Sequence, residues 1–299
     1  MYIDRDNEFK TKKEVIEWLE KYNVRSYIIH QDLTVDVNGS VNLDGGNIDG
    51  RLPVKFGTVR GSFSCVKNNL RTLYGFPREV YGNFDCSRNW LRDLHYCPRF
   101  VGGNFSCKKN DLVSLEGCPE LINYNFSCEK NSLRDLRGGP SEVGGAFYCG
   151  MNFLYSLDGS PEKVDGDFNC SYNRLRSLSD LSKIIGGSLN CGYNGITSLV
   201  GSPDIINGEF NCSYNKLNSL EGGPKEVDGN FNCSYNGLES LLGFPVEVSG
   251  DFYCTDNEVD FIFPINDMSF KEIKEYLLNE PTVLVSPIVV DKDSPKLKM

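Results

Sequence analysis

The chain has 299 residues, 41 Asp/Glu against 31 Lys/Arg, a formal charge of −10 and 39% hydrophobic residues. That balance argues against nucleic-acid binding, and no apolar run approaches the ~18 residues of a membrane-spanning helix. The opening MYIDRDNEFK is charged and has no apolar centre, which points away from a secretory signal and towards a cytoplasmic protein.

An N-terminal cap is expected over residues 1–43. Thr11-Lys12-Lys13-Glu14 is a capping-box pattern ahead of Val15, Ile16, Trp18 and Leu19 at helical spacing, predicting a helix over about 11–22. Alternating segments Ser26–His30, Leu33–Val37 and Val41–Leu43 predict short strands leading onward.

From 44 to 262 the chain repeats. Cys65, Cys86, Cys107, Cys128, Cys149, Cys170, Cys191, Cys212, Cys233 and Cys254 stand 21 residues apart without insertion or deletion. A constant period of that size means one supersecondary unit copied end to end. Aligned on the cysteines, each unit reads F-x-C-x-x-N-x-L-x-x-L-x-G-x-P-x-x-V-x-G-x. Phe and Cys, two apart, point to one face of a short strand, which pairs with its copy in the next coil as a parallel ladder. The Asn three places after Cys, Asn68 through Asn257, is placed to bond unpaired backbone groups of the turn and the neighbouring coil. About a dozen residues remain, too few for a helix, so the Gly-x-Pro return is expected as extended or 3₁₀ turns.

A C-terminal cap is expected over 263–299. Ser269-Phe270-Lys271-Glu272 repeats the capping box ahead of Ile273, Tyr276 and Leu277, predicting a helix over about 269–279. Val283–Val290 reads as a strand and Lys292–Met299 as a frayed basic tail.

F-x-C-x-x-N-x-L resembles the leucine-rich repeat, with Phe and Cys where that family has Leu and with 21 at the short end of its range of about 20–29 residues. The resemblance covers 63–262, with a fainter copy at Val41-Asn42-Leu43, Ile48 and Pro53. It implies a solenoid of parallel β ladder and thin return segments. The flavour G-N-F-x-C-S-x-N-x-L also resembles repeat proteins encoded by tailed bacteriophages.

Chemistry-bearing motifs are absent. The two histidines, His30 and His95, lie apart, and neither a P-loop nor H-E-x-x-H occurs, so no metal, cofactor or catalysis is expected. The ten frame cysteines read as small buried hydrophobes. Cys97 and Cys118, in the same slot of adjacent copies, read as idle thiols, with a disulfide or metal clip as lesser alternatives. Tyr96 and Tyr124 replace frame glycines and Asp180-Leu181-Ser182 loses Gly and Pro, with no assigned role.

Functional information is left to the variable columns. Two places after Cys the chain reads Lys67, Arg88, Lys109, Lys130, Met151, Tyr172, Tyr193, Tyr214, Tyr235, Asp256; six places after, Arg71, Arg92, Val113, Arg134, Tyr155, Arg176. Coils about 4.8 Å apart turn these into stripes. Residues 60–137 hold 12 Lys/Arg against 8 Asp/Glu, whereas 138–260 hold 6 against 17. One copy replaces polar variable positions by Tyr148, Met151, Phe153 and Tyr155, and Trp90 and Tyr253 are other aromatic exceptions. The leading expectation is a non-enzymatic module binding a protein partner through its concave face and edge. The patch, Trp90 and the tyrosine column make contact, and the stripe Lys67, Arg71, Arg88, Arg92, Lys109, Lys130, Arg134 and Arg176 sets orientation. The phage likeness suggests a bacterial host or defence protein as the target. The rival readings are nucleic acid on the basic half with tyrosines stacking bases, a structural or assembly component, and carbohydrate binding. A plainer alternative has the columns as half-buried rims that contact nothing.

Overall fold

Equal coil length brings every residue opposite its own counterpart, so backbone groups pair between coils and not within them. The structure, a computed structural model, describes residues 8–261 and 268–279. The F-x-C segments form an eleven-stranded parallel ladder from Val41–Asn42 to Phe252–Tyr253. Phe faces Phe throughout its regular part, as where Phe105 sits opposite both Phe84 and Phe126.

The return segments make further ladders. Glu79–Val80 pairs with Phe100–Val101, and Glu142–Val143 with Lys163–Val164, again in parallel. Of the two conformations expected for the return, the extended one is adopted; the 3₁₀ turn at Glu258–Phe261 lies past the last return. The reason is register: each return Val or Ile points inward while its N–H and C=O reach the adjacent coil.

Five side chains per coil fill the interior. In one coil Phe147, Cys149, Leu154, Leu157 and Val164 are all fully buried, each worth about 1.5–3 kcal/mol for a large aliphatic or aromatic group. Neighbouring Phe rings lie 5.1–6.2 Å apart from Phe63 to Phe168, until Leu189 interrupts the column. Coils touch backbone to backbone at the frame glycine before the next F-x-C. A Cβ on Gly166 would sit 2.9 Å from Ala146 N. Tyr124 occupies this column with its ring exposed, and nothing in the structure explains it. Tyr96 and Asp180 take a different glycine slot at φ 68° and 65°.

The buried asparagines complete the polar accounting. Asn131 donates from Nδ2 to Cys107 O (3.1 Å) and Cys128 O (2.9 Å), and its Oδ1 accepts from Leu112 N and Asn110 N (both 3.1 Å). One amide thus satisfies backbone groups of consecutive coils that the turn leaves without partners.

Both ends are covered. Helix α1 (Lys12–Lys21) opens with the Thr11–Glu14 capping box and buries Val15, Trp18 and Leu19. Strand β1 (Tyr27–Ile29) pairs antiparallel with β2 (Thr34–Val37), which joins the first return strand, Lys55–Val59. Helix α2 (Phe270–Asn279) buries Ile273 and Leu277 and stacks Phe270 on Phe244 at 5.0 Å. The strand and tail expected over 283–290 and 292–299 lie outside the described residues.

Asn131→Ala removes bonds worth about 1 kcal/mol each and leaves buried carbonyls bare, so a loss of about 3 kcal/mol in urea unfolding is expected. Val113→Ala, exposed in the preceding coil, should stay within about 0.5 kcal/mol of wild type.

Candidate protein-interaction face

The asparagine turn dictates what the surface displays. To aim its amide between two coils, the chain bends left-handed at the residue before Asn. Lys67, Arg88, Lys109, Lys130, Met151, Tyr172, Tyr193, Tyr214, Tyr235 and Asp256 all have φ between 53° and 60°. The next residues alternate: Asn buried or half-buried, an outward residue, buried Leu, Ile or Val, and a second outward residue. Positions two, four and six after each Cys therefore form three outward columns along one face.

The left-handed region costs a non-glycine residue about 1–2 kcal/mol. Tyr172, Tyr193, Tyr214 and Tyr235 recover part of that by stacking, with ring centroids 4.2 Å apart and planes 9–11° from parallel. Each such contact returns about 0.5–1.5 kcal/mol. The rings are too close to admit a base between them, so insertion between successive tyrosines is not open to a nucleic acid. They present edges and hydroxyls instead. The basic members of the column recover nothing comparable, and the Lys109 ammonium is held below its ordinary pKa chiefly by Arg88 and Lys130.

The structure gathers only part of the aromatic coil. Met151, Phe153 and Tyr155 are 43%, 42% and 51% exposed and cross the full width of the three columns. Arg174, in Phe153's column one coil on, lies 4.7 Å from the Phe153 ring centroid. Tyr148 is half-buried and belongs to the F-x-C ladder, opposite Ser127 and Asn169. Trp90 stands in the middle column three coils before Phe153, 59% exposed, with Arg88 and Arg92 on either side in sequence. Arg71, Arg134 and Arg176 occupy the third column, all exposed.

Sequence reading missed a second apolar surface. On the return ladders Phe100, Leu121, Ile184 and Ile205 are each 41–55% exposed. The signal was a fixed position, one residue before the buried Val or Ile, held elsewhere by Glu79, Glu142, Lys163, Glu226 and Glu247.

Sequence reading also missed a histidine–carboxylate pair. His30 Nε2 lies 2.8 Å from Asp36 Oδ2, six residues apart but facing across the β1–β2 hairpin. Burial would raise the Asp36 pKa, yet the Thr58 N–H and His30 together hold it below the ordinary carboxylate value. This pair borders a groove of about 1360 Å³ that Lys55, Tyr74, Arg78 and Cys97 also line. Cys97 is no nucleophile there. Burial pushes its thiol up to about 12, and Sγ donates to Gly117 O at 2.9 Å. All twelve cysteines are free thiols, and among the described residues no three His, Cys, Asp or Glu side chains converge as a metal site. No described helix is long and apolar enough to cross a membrane.

No protein-family model matches the chain, and no curated protein matches it. Among solved structures it resembles YopM from Yersinia enterocolitica WA-314, a leucine-rich-repeat protein, at a TM-score of 0.56 and 24% identity. The match covers 73% of this chain and 47% of that one, so the chain spans about half the length of that protein. The fold is a leucine-rich-repeat-like solenoid.

The buried thiols make stability pH-dependent. Burial raises the pKa of the column cysteines such as Cys65, Cys107 and Cys191 well above the ordinary 9.0. Above pH 9 the unfolded chain loses protons that the folded one keeps, so stability present below that pH falls as pH rises. Each thiol contributes about 1.4 kcal/mol per pH unit to that fall. Urea midpoints measured at pH 8 and pH 10 should drop steeply; a flat response would mean the thiols are already ionised or exposed in the folded protein.

Proposed function

We propose that this protein is a non-enzymatic docking scaffold that holds a protein partner against its three-column face, centred on Met151, Phe153 and Tyr155. One observation carries the reading: a single coil sets three large apolar side chains across the face, uncovered, on a backbone tied rigidly to its neighbours. Exposed apolar clusters on an otherwise polar surface mark contact sites. Tyr172, Tyr193, Tyr214 and Tyr235 continue the contact on one side as a stiff ridge with little side-chain entropy left to lose. Lys130, Arg134 and Arg176 flank the row and orient the approach. The leucine-rich-repeat-like fold supports the same reading, since stacked repeats present extended binding surfaces. The likeness of the repeat to phage-encoded proteins extends the proposal to a bacterial host protein as the partner, met in the host cytoplasm.

Replacing Met151, Phe153 and Tyr155 together by alanine should weaken partner capture about 100-fold or more, as loss of a hot-spot cluster does. The thermal transition should hardly move, because all three side chains lie outside the core. Capture from bacterial lysate at full strength by the triple variant would sink the proposal.

A further inference from the structure

The basic quarter of the same face serves the docking reading only as steering charge, yet it is built as if for a ligand of its own. Lys67, Arg88, Lys109 and Lys130 form one row, and Arg71, Arg92 and Arg134 the other. All seven side chains are exposed, and among the described residues none enters an ion pair. Other cations nearby do pair, as Lys108 with Glu129 and Arg137 with Asp158. The first row also sits in the left-handed region at φ 54–60°, with no ring stack to offset the strain. Strain and unrelieved repulsion in one place point to a counter-charge from outside.

Between the rows stands Trp90, the most exposed large aromatic of the face at 59%. Rows four residues apart along an extended chain are separated by about 13 Å, and coils by about 4.8 Å. A single strand laid along the solenoid axis fits that channel, phosphates to the cations and one base on the indole. We infer that this quarter binds single-stranded nucleic acid, with a base stacked on Trp90 and the adjoining phosphates held by Arg88, Arg92 and Lys109. An acidic peptide would answer the cations but leave the indole uncovered. Duplex DNA keeps its bases paired and offers Trp90 nothing to stack on.

The chain's net charge of −10 does not oppose this. In the three columns the carboxylates near the site are Asp111, one coil on from Trp90, and Asp49, opposite Asn69 and two coils back; the next, Glu239, lies seven coils on, about 34 Å at that spacing. Fields at such range are screened at physiological salt, where the Debye length is about 8 Å.

The test uses the full chain and an oligothymidylate at low salt, read by tryptophan fluorescence. Trp18 is buried against Phe56 and Tyr22, so quenching of solvent-exposed emission reports Trp90. Saturable quenching is expected. Trp90→Ala should weaken binding, followed by anisotropy of a labelled oligonucleotide, about 5- to 150-fold, with Trp90→Phe retaining most of it. Arg88→Ala with Arg92→Ala should lower the slope of log affinity against log salt by about 1.4. The Met151, Phe153 and Tyr155 triple variant should bind the oligonucleotide as wild type does, separating this site from partner docking. No binding at low salt, equal affinity for duplex of the same length, unaltered binding by Trp90→Ala, or equal competition by oligoglutamate would each overturn the inference.

Discussion

Everything on the surface of this molecule follows from how one amide is spent inside it. An asparagine three places after each Cys holds its own coil's carbonyl, the previous coil's carbonyl and a backbone N–H of the previous coil, as Asn89 does for Cys86 O, Cys65 O and Leu70 N. These groups lie where the chain turns away from the F-x-C ladder, buried and without strand partners. Leaving one unpaired costs about 1–3 kcal/mol. A coil of altered length must regain register before its strand, as the first does: Val41 stands 22 residues before its partner Phe63, and Asn68 still holds Leu43 O.

The same turn throws the preceding residue outward in a left-handed conformation, where glycine or asparagine would sit with least strain. Nine of the ten occupants are instead Lys, Arg, Met or Tyr, and the tenth is Asp256. The turn asks nothing of those side chains, since Lys67 and Tyr235 adopt nearly the same φ. Nothing inside the turn therefore selects among them, and each carries the strain of the left-handed conformation whatever its side chain. The tyrosine stack shows that neighbours offset some of this; the basic row shows that they need not.

The interior was legible in the sequence and much of the exterior was not, for one physical reason. Burial imposes a fixed residue type at a fixed spacing, so Phe, Cys, Asn and Leu stood out as columns before any coordinates. Exposure imposes none. Tyr148 and Met151 are three residues apart, and only the turn between them reveals that they serve different faces. Phe100 and Leu121 share one column with Glu and Lys, and only the return fold shows that their side chains are left exposed. His30 and Asp36 pair through a hairpin whose register no spacing rule announces. The extended return was an even choice against 3₁₀ on composition, and was decided by the counterpart one coil away.

The aromatic row falls where the face changes character. On its N-terminal side the column two places after Cys is basic through Lys130; on its C-terminal side it is tyrosine from Tyr172 onward. Met151 occupies the one intervening place. A partner seated on Met151, Phe153 and Tyr155, as proposed, would meet Lys130 and Arg134 one coil towards the N-terminus and Arg174 and Arg176 one coil towards the C-terminus, so the flanks differ in the first column alone, lysine on one side and the tyrosine stack on the other. Unlike ends within a screening length fix which way round a partner lies. A face of uniform charge would hold it as tightly and leave its direction undetermined. Rigidity sharpens the choice, because coils locked by asparagine bonds do not shift to accommodate a reversed partner.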